Sequence, residues 1–241
     1  DKTCFGLKPV DLEIWQGFIF ILFGGSGPSV AAQFAPIEAQ LAPYRFDDLV
    51  PYGRAGTASI AADWKVAVDN NIEGYHIPVA HPGLQRLYGH DYRFELHPLG
   101  VSHAGGPLRE VSASPWSERH YLKLLPAVDT LPEERRRFWG YYSMFPNLAF
   151  DVYPDMIDFF QILPVAPGRS MSRSRSYALP DAPRDGGRTL AEHADQHADR
   201  IGGRPSGRRR AGGTGIARLW CWTALGQRGA RQTVPRPDPR C

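Results

Sequence analysis

The chain has 241 residues, of which 22% are charged and 42% hydrophobic, and a formal net charge of +3. That length supports one sizeable core, or one domain and part of another, and the small net charge gives no reason to expect a nucleic-acid partner. Three widely spaced cysteines (Cys4, Cys221, Cys241) make neither a Cys-x-x-Cys pair nor an even-numbered framework, and neither a signal peptide nor a bilayer-spanning apolar run is evident, so a cytoplasmic, membrane-free location is expected.

Leu12–Ile21 is rich in aromatic and β-branched residues and reads as one strand, with Gly17 as a bulge. Gly24–Gly27, with Ser26, is a turn-rich linker; it lacks the Lys and the strand–helix frame of a phosphate loop. A short helix is expected over Phe34–Leu41 and a connecting strand over Phe46–Ile60.

From Asp63 the pattern changes. Trp64, Val66, Val68 and Ile72 are apolar among polar neighbours, with no breaker before Gly74, which predicts a helix. Glu73 and His76, three apart, would share one face of it. Pro78 removes a backbone donor and clashes with the preceding turn, so the helix is expected to kink or stop near His76–Ile77. That break would let His81 swing back towards His76. Neutral imidazoles suit iron, zinc and copper, and a mononuclear iron that activates O2 commonly takes two His and one carboxylate on one face. A bare His-x4-His is weak evidence, since short motifs match often by chance.

The flanking residues are more specific. Asp69-Asn70-Asn71-Ile72-Glu73-Gly74-Tyr75-His76, followed by His81, resembles the iron motif of the large (alpha) subunits of Rieske-type non-haem iron oxygenases. The resemblance implies that His76 and His81 are ligands of a mononuclear Fe(II). It implies that Glu73 is the acidic bridge to a cluster histidine of the neighbouring subunit, with Asn70 and Tyr75 beside the iron. Glu at position 73 looks more like the branch that oxidises choline, betaines and carnitine than like the aromatic-ring-hydroxylating members, many of which carry Asp there. The implied fold is α+β, a helix-grip catalytic domain whose curved antiparallel sheet wraps a helix. The implied partners are O2, a small-molecule substrate, a reductase or ferredoxin, and further copies of the chain in a trimer-like assembly. The 2Fe-2S cluster of such enzymes needs two Cys and two His. No such pairs occur here, and Cys4 is followed by Phe5-Gly6, so the cluster is expected in a parent protein and not on this chain. The chain then divides into residues 1–25, the end of a Rieske domain; 26–180, a partial catalytic domain truncated at both ends; and 181–241, a basic tail.

Downstream, Arg93–Pro98 and Val101–Ala104 read as short strands, Gly105-Gly106-Pro107 as a turn, and Pro132–Trp139 as a helix start. His90, His97 and His103 read as ordinary surface histidines. Phe145–Tyr153, Met156–Val165 and Ser170–Leu179 read as strands, the last two joined at Pro167-Gly168, with Met171, Arg173, Arg175 and Tyr177 on one face and Ser172, Ser174 and Ser176 on the other. Phe150, Phe159 and Phe160 are candidates for a cavity lining or for the core.

Residues 181–241 hold 12 Arg, no Lys and 6 acidic residues, with many Gly and Pro and no apolar periodicity, and are expected to be disordered. The missing Lys and the lack of interleaved aromatics speak against a nucleic-acid tail. Back-translated and read one nucleotide out of phase, Arg208–Gly215 is compatible with EDELVERV and Leu219–Leu225 with YGVGPLS. Both strings resemble the end of the same family's catalytic domain, including the Glu-Asp pair whose Asp is its third iron ligand. A frameshift between about Asp181 and Arg188 is therefore expected. The third ligand would be lost to it and the chain as written inactive. The competing function is a helix-grip small-molecule-binding module without redox chemistry.

Overall fold

The structure, a computed structural model, describes residues 10–23, 27–109, 122–123, 125, 127–180 and 219–222. It divides into two units, residues 1–32 with 213–241 and residues 33–212.

In the first unit, β1 (Asp11–Trp15) and β2 (Phe18–Leu22) form an antiparallel hairpin, with Trp15 opposite Phe18. The expected single strand with a bulge is corrected: Gln16 and Gly17 both have positive φ (49° and 75°), the requirement of a two-residue type I′ turn. The Glu13 carboxylate accepts from the N–H groups of Val30 and Ala31 (2.7 and 2.9 Å), the unpaired donors that open α1 (Val30–Phe34). Leu219–Trp222, inside the stretch expected to lack structure, is strand β10 and runs parallel to β2.

The second unit is built on a seven-stranded sheet in the order β3-β9-β8-β7-β6-β5-β4, antiparallel throughout. Its strands are β3 (Val50–Ile60), β4 (Arg93–Leu96), β5 (Val101–Pro107), β6 (Phe138–Met144), β7 (Leu148–Val152), β8 (Met156–Ala166) and β9 (Arg169–Ala178). Few helices accompany it: after α1 come α2 (Glu38–Leu41), α3 (Trp64–Ile72), α4 (Ile77–Ala80) and α5 (Pro82–Tyr88), with short 3-10 turns between. This is the α+β, mainly antiparallel architecture that the sequence implies.

The cross-strand register sorts the side chains onto two faces, since neighbours along a strand point opposite ways. Tyr142, Phe150 and Phe159 share one face as register partners. Phe150 is fully buried there, stacked between Tyr142 and Phe159 (5.2 and 5.1 Å between centroids) and met edge-on by Phe34 and Phe46. Phe150 and Phe159 are therefore core, not cavity lining. The other face carries Tyr141, Asp151, Asp158 and Ser176 in register across four strands, and Phe160 in the next row. Helix α3 packs along strands β5, β6, β8 and β9. The hairpin at Pro167-Gly168 and the Ser/Arg alternation of β9 stand as expected.

Two further expected elements differ. Gly105-Gly106-Pro107 completes β5 and does not turn, because all three residues pair with β6, opposite Gly140, Trp139 and Phe138. The helix expected over Pro132–Trp139 is only a 3-10 turn at Glu133–Arg135. Phe138, Trp139, Tyr141 and Tyr142 are aromatic strand formers and go to β6.

Candidate metal centre

Asp63 opens α3 as an N-cap, its carboxylate accepting from the Lys65 N–H at 3.1 Å. The helix ends at Ile72, earlier than expected, and Glu73 is extended (ψ 159°). Two local interactions explain the stop. Glu73 Oε2 accepts from the Tyr75 N–H and Oε1 from the His76 ring, so the carboxylate gives the next turn bonds that a continuing helix would deny it. Gly74 then follows, and Tyr92 occupies the space a side chain there would need: a Cβ would lie 2.5 Å from the Tyr92 ring. Glu73 and His76 thus meet across a turn, not along a helix face. Pro78 does not end a helix; it lies in the first turn of α4, where its missing N–H costs nothing.

The two histidines do come together, by a different route. His76 and His81 bracket α4 and their rings stand 4.9 Å apart, edge to face. An ionised carboxylate only accepts, so His76 Nδ1 carries the proton in its bond to Glu73, and Nε2 is the nitrogen left for a metal. Burial pushes the Glu73 carboxyl upward, but the bonds from His76 and the Tyr75 N–H outweigh it and hold the group below its ordinary range. The donor set, two imidazoles with one ring fixed by a carboxylate, fits a first-row metal such as ferrous iron. Asn70 is half-buried near the end of α3. The Tyr75 side chain is 92% exposed, and it is the backbone N–H of Tyr75 that takes part. Among the described residues, no third His, Cys, Asp or Glu joins His76 and His81 in a set with all ligand atoms within 4.8 Å.

Beyond the motif lies a cluster the sequence does not announce. Tyr88 on α5 donates to the Tyr141 hydroxyl (3.2 Å), and the Tyr92 ring packs against both. Tyr153 donates to Asp151 Oδ2 at 3.4 Å. Burial, then the neighbouring Asp158, push the Asp151 carboxyl well above its ordinary range. Burial, then the charges of Asp151 and Glu73, push the Tyr92 hydroxyl up to about 12. Tyr92 therefore links the histidine motif to the acidic row on the sheet. The signal that could have found this row is the register of three hairpins, which a single sequence does not fix.

His97 and His103, read as surface residues, also meet: their rings stack at 5.2 Å, with Nε2 of His97 2.9 Å from Nδ1 of His103. Burial lowers the His103 pKa; Glu95 opposes this, while His97 and Arg135 add to it.

With this geometry, the comparison with known proteins is specific. Residues 46–204 match the family model described as the ring hydroxylating alpha subunit (catalytic domain). The chain belongs to this family. Among curated relatives, it is 33% identical over 84 residues to the glycine betaine monooxygenase oxygenase subunit of Chromohalobacter salexigens, a stretch covering 35% of this chain and 19% of the relative. It is 39% identical over 79 residues to the carnitine monooxygenase oxygenase subunit of Escherichia coli K12, covering 32% and 21%. The fold is similar to that of a quaternary ammonium Rieske monooxygenase solved with an inhibitor (TM-score 0.60, 19% identity, 80% of this chain and 50% of that one). It is also similar to that of naphthalene 1,2-dioxygenase from Rhodococcus sp. bound to indole (TM-score 0.56, 17% identity, 79% and 52%). The chain thus aligns with about half the length of these structures and about a fifth of the curated relatives.

Proposed function

We propose that this chain is the catalytic part of a Rieske non-haem iron oxygenase that hydroxylates an N-methyl group of a quaternary amine, which then leaves as formaldehyde. The observation that carries the reading is the pair of histidine rings 4.9 Å apart, with Glu73 on the Nδ1 of His76. His76 and His81 would hold ferrous iron together with a carboxylate from outside the described residues. When bound, the iron supplies the O2 and one-electron chemistry that no side chain provides. Glu73 keeps the His76 ring in one tautomer and orientation, and its carboxylate is the way in for an electron from a Rieske 2Fe-2S cluster on a neighbouring subunit of a trimer-like assembly. A reductase or ferredoxin outside this chain supplies the two electrons that one turnover takes, delivered one at a time, and the second oxygen atom of O2 leaves as water.

The amine reading is preferred to an aromatic ring for two reasons. The names of the matched relatives specify glycine betaine and carnitine. The Asp151–Asp158 pair, beside Tyr92 and Tyr141, offers carboxyls and ring faces that would suit a quaternary ammonium. The reaction would run in the cytoplasm; among the described residues no helix is long and apolar enough to cross a membrane. The competing reading, a helix-grip binding module without redox chemistry, draws on the absence of a third donor near His76 and His81 among the described residues.

Anaerobic Fe(II) titration separates the two. The chain should take up iron at this site weakly, and His76→Ala with His81→Ala should remove that uptake. Equal iron content in both proteins would overturn the oxygenase reading. In a full-length enzyme carrying its cluster, Glu73→Ala should abolish formaldehyde release while iron and cluster content stay unchanged.

A further inference from the structure

The sheet face opposite the acidic row carries a second set of ligand atoms. Glu95 lies on β4, His97 just beyond that strand's end, and His103 opposite Glu95 on β5. Nε2 of His97 and Nδ1 of His103 are 2.9 Å apart, and Glu95 Oε2 is 3.8 Å from each. Three such atoms have one point in their plane about 2.1 Å from all of them, which is the Zn–N and Zn–O bond length. The two nitrogens subtend about 90° at that point, and the carboxylate oxygen stands roughly opposite both. This is a planar fan and not the facial triad of an O2-activating iron, in which the three donors would be about equally spaced.

The set is independent of His76 and His81. His103 pairs with Tyr142 on β6 and stacks on its ring (5.9 Å, 21°). Tyr141, the next residue along, points to the other face, where it meets Tyr88 and Tyr92 beside the histidine motif. The sheet itself lies between the two sites.

We propose that Glu95, His97 and His103 form a zinc site that clamps the edge of the sheet. Strand β4 is the outermost of the seven, every residue of it is exposed, and among the described residues its one strand partner is β5. An ion held by Glu95 on β4, by His97 at the hairpin and by His103 on β5 ties this edge to its neighbour and fixes the register that a short exposed strand leaves weak. At His103 the Glu95 carboxylate opposes the positive charge of Arg135, whose guanidinium lies on the Phe138 ring. Glu95 is exposed, so a water completes the coordination shell from solvent.

The test uses the whole chain with His76→Ala and His81→Ala, so that uptake at the histidine motif does not enter the reading. The metal-free protein is dialysed against zinc chloride and its zinc content measured, with X-ray absorption at the zinc edge. The expected result is one equivalent of zinc with imidazole scattering and a zinc-dependent rise in Tm. Adding His103→Ala should remove both. His97→Ala, at the strand end, is the second variant; it should lose zinc with an unchanged circular dichroism spectrum. Absence of zinc from the His76→Ala/His81→Ala protein, or zinc content unmoved by His97→Ala, would overturn the proposal and leave a histidine–histidine hydrogen bond in its place.

Discussion

At the scale of single residues, Asp151 is a carboxyl whose chemistry is strongly displaced. Its carboxyl is raised by burial and then by Asp158, so the folded state holds its proton at pH values where the unfolded chain has released it. The sign follows: this group's contribution to stability is most favourable below the ordinary carboxylate range and falls as pH rises through the window up to the elevated value, beyond which the full cost remains. Asp151→Asn removes the cost. Stability at pH 7 should rise by about 1–3 kcal/mol, read as roughly 2–4 °C of Tm per kcal/mol, with no gain at about pH 3, where both side chains are neutral. An equal shift at both pH values would mean that the carboxyl does not titrate as described. If Asp151 also faces the substrate cation, the same variant should be more stable and bind the amine less well, a common trade at functional sites.

At the scale of elements, what could be read early was what repeats. The Ser/Arg alternation of β9, the Pro167-Gly168 hairpin and the apolar spacing of α3 are local patterns, and each became the element its period dictates. The histidine motif was legible for the same reason: its residues lie within one short stretch. The end of α3 was not, because it is decided by the Glu73 carboxylate and by a Tyr ring eighteen positions beyond Gly74. The acidic row and the Glu95–His97–His103 set were hidden because they exist only once strands are in register. The contact between Gly74 and Tyr92 is open to a direct test. Gly74→Ala should cost about 1–3 kcal/mol in urea unfolding, since the added methyl must displace the Tyr92 ring. In a Tyr92→Leu background the cost should shrink, and the double-mutant cycle should return a coupling. Strict additivity would mean that the glycine is required for some other reason.

At the scale of the whole molecule, the question is what completes the histidine side of the sheet. Val66, Tyr75 and Val79, on and between α3 and α4, are 60%, 92% and 88% exposed. The same region lacks a third ligand among the described residues. Both deficits fit the reading that residues after about Asp181 are translated from a shifted frame, which in phase would supply the family's Glu-Asp segment. The family match runs on to residue 204, so two frames compete for residues 189–204, and sequencing the parent DNA across Asp181–Arg188 decides between them. Restoring the frame by one nucleotide should tighten Fe(II) binding by more than the ~10–100-fold that loss of an outer-shell partner costs, because a whole ligand returns. It should also reduce aggregation, measured by light scattering, as the exposed apolar residues are covered. The chain as written should support no formaldehyde release with glycine betaine or carnitine in the presence of a reductase and a cluster-bearing partner. Turnover by that chain, or iron bound equally tightly in both frames, would show that the carboxylate is already supplied by the sequence as it stands and that no frame has been lost.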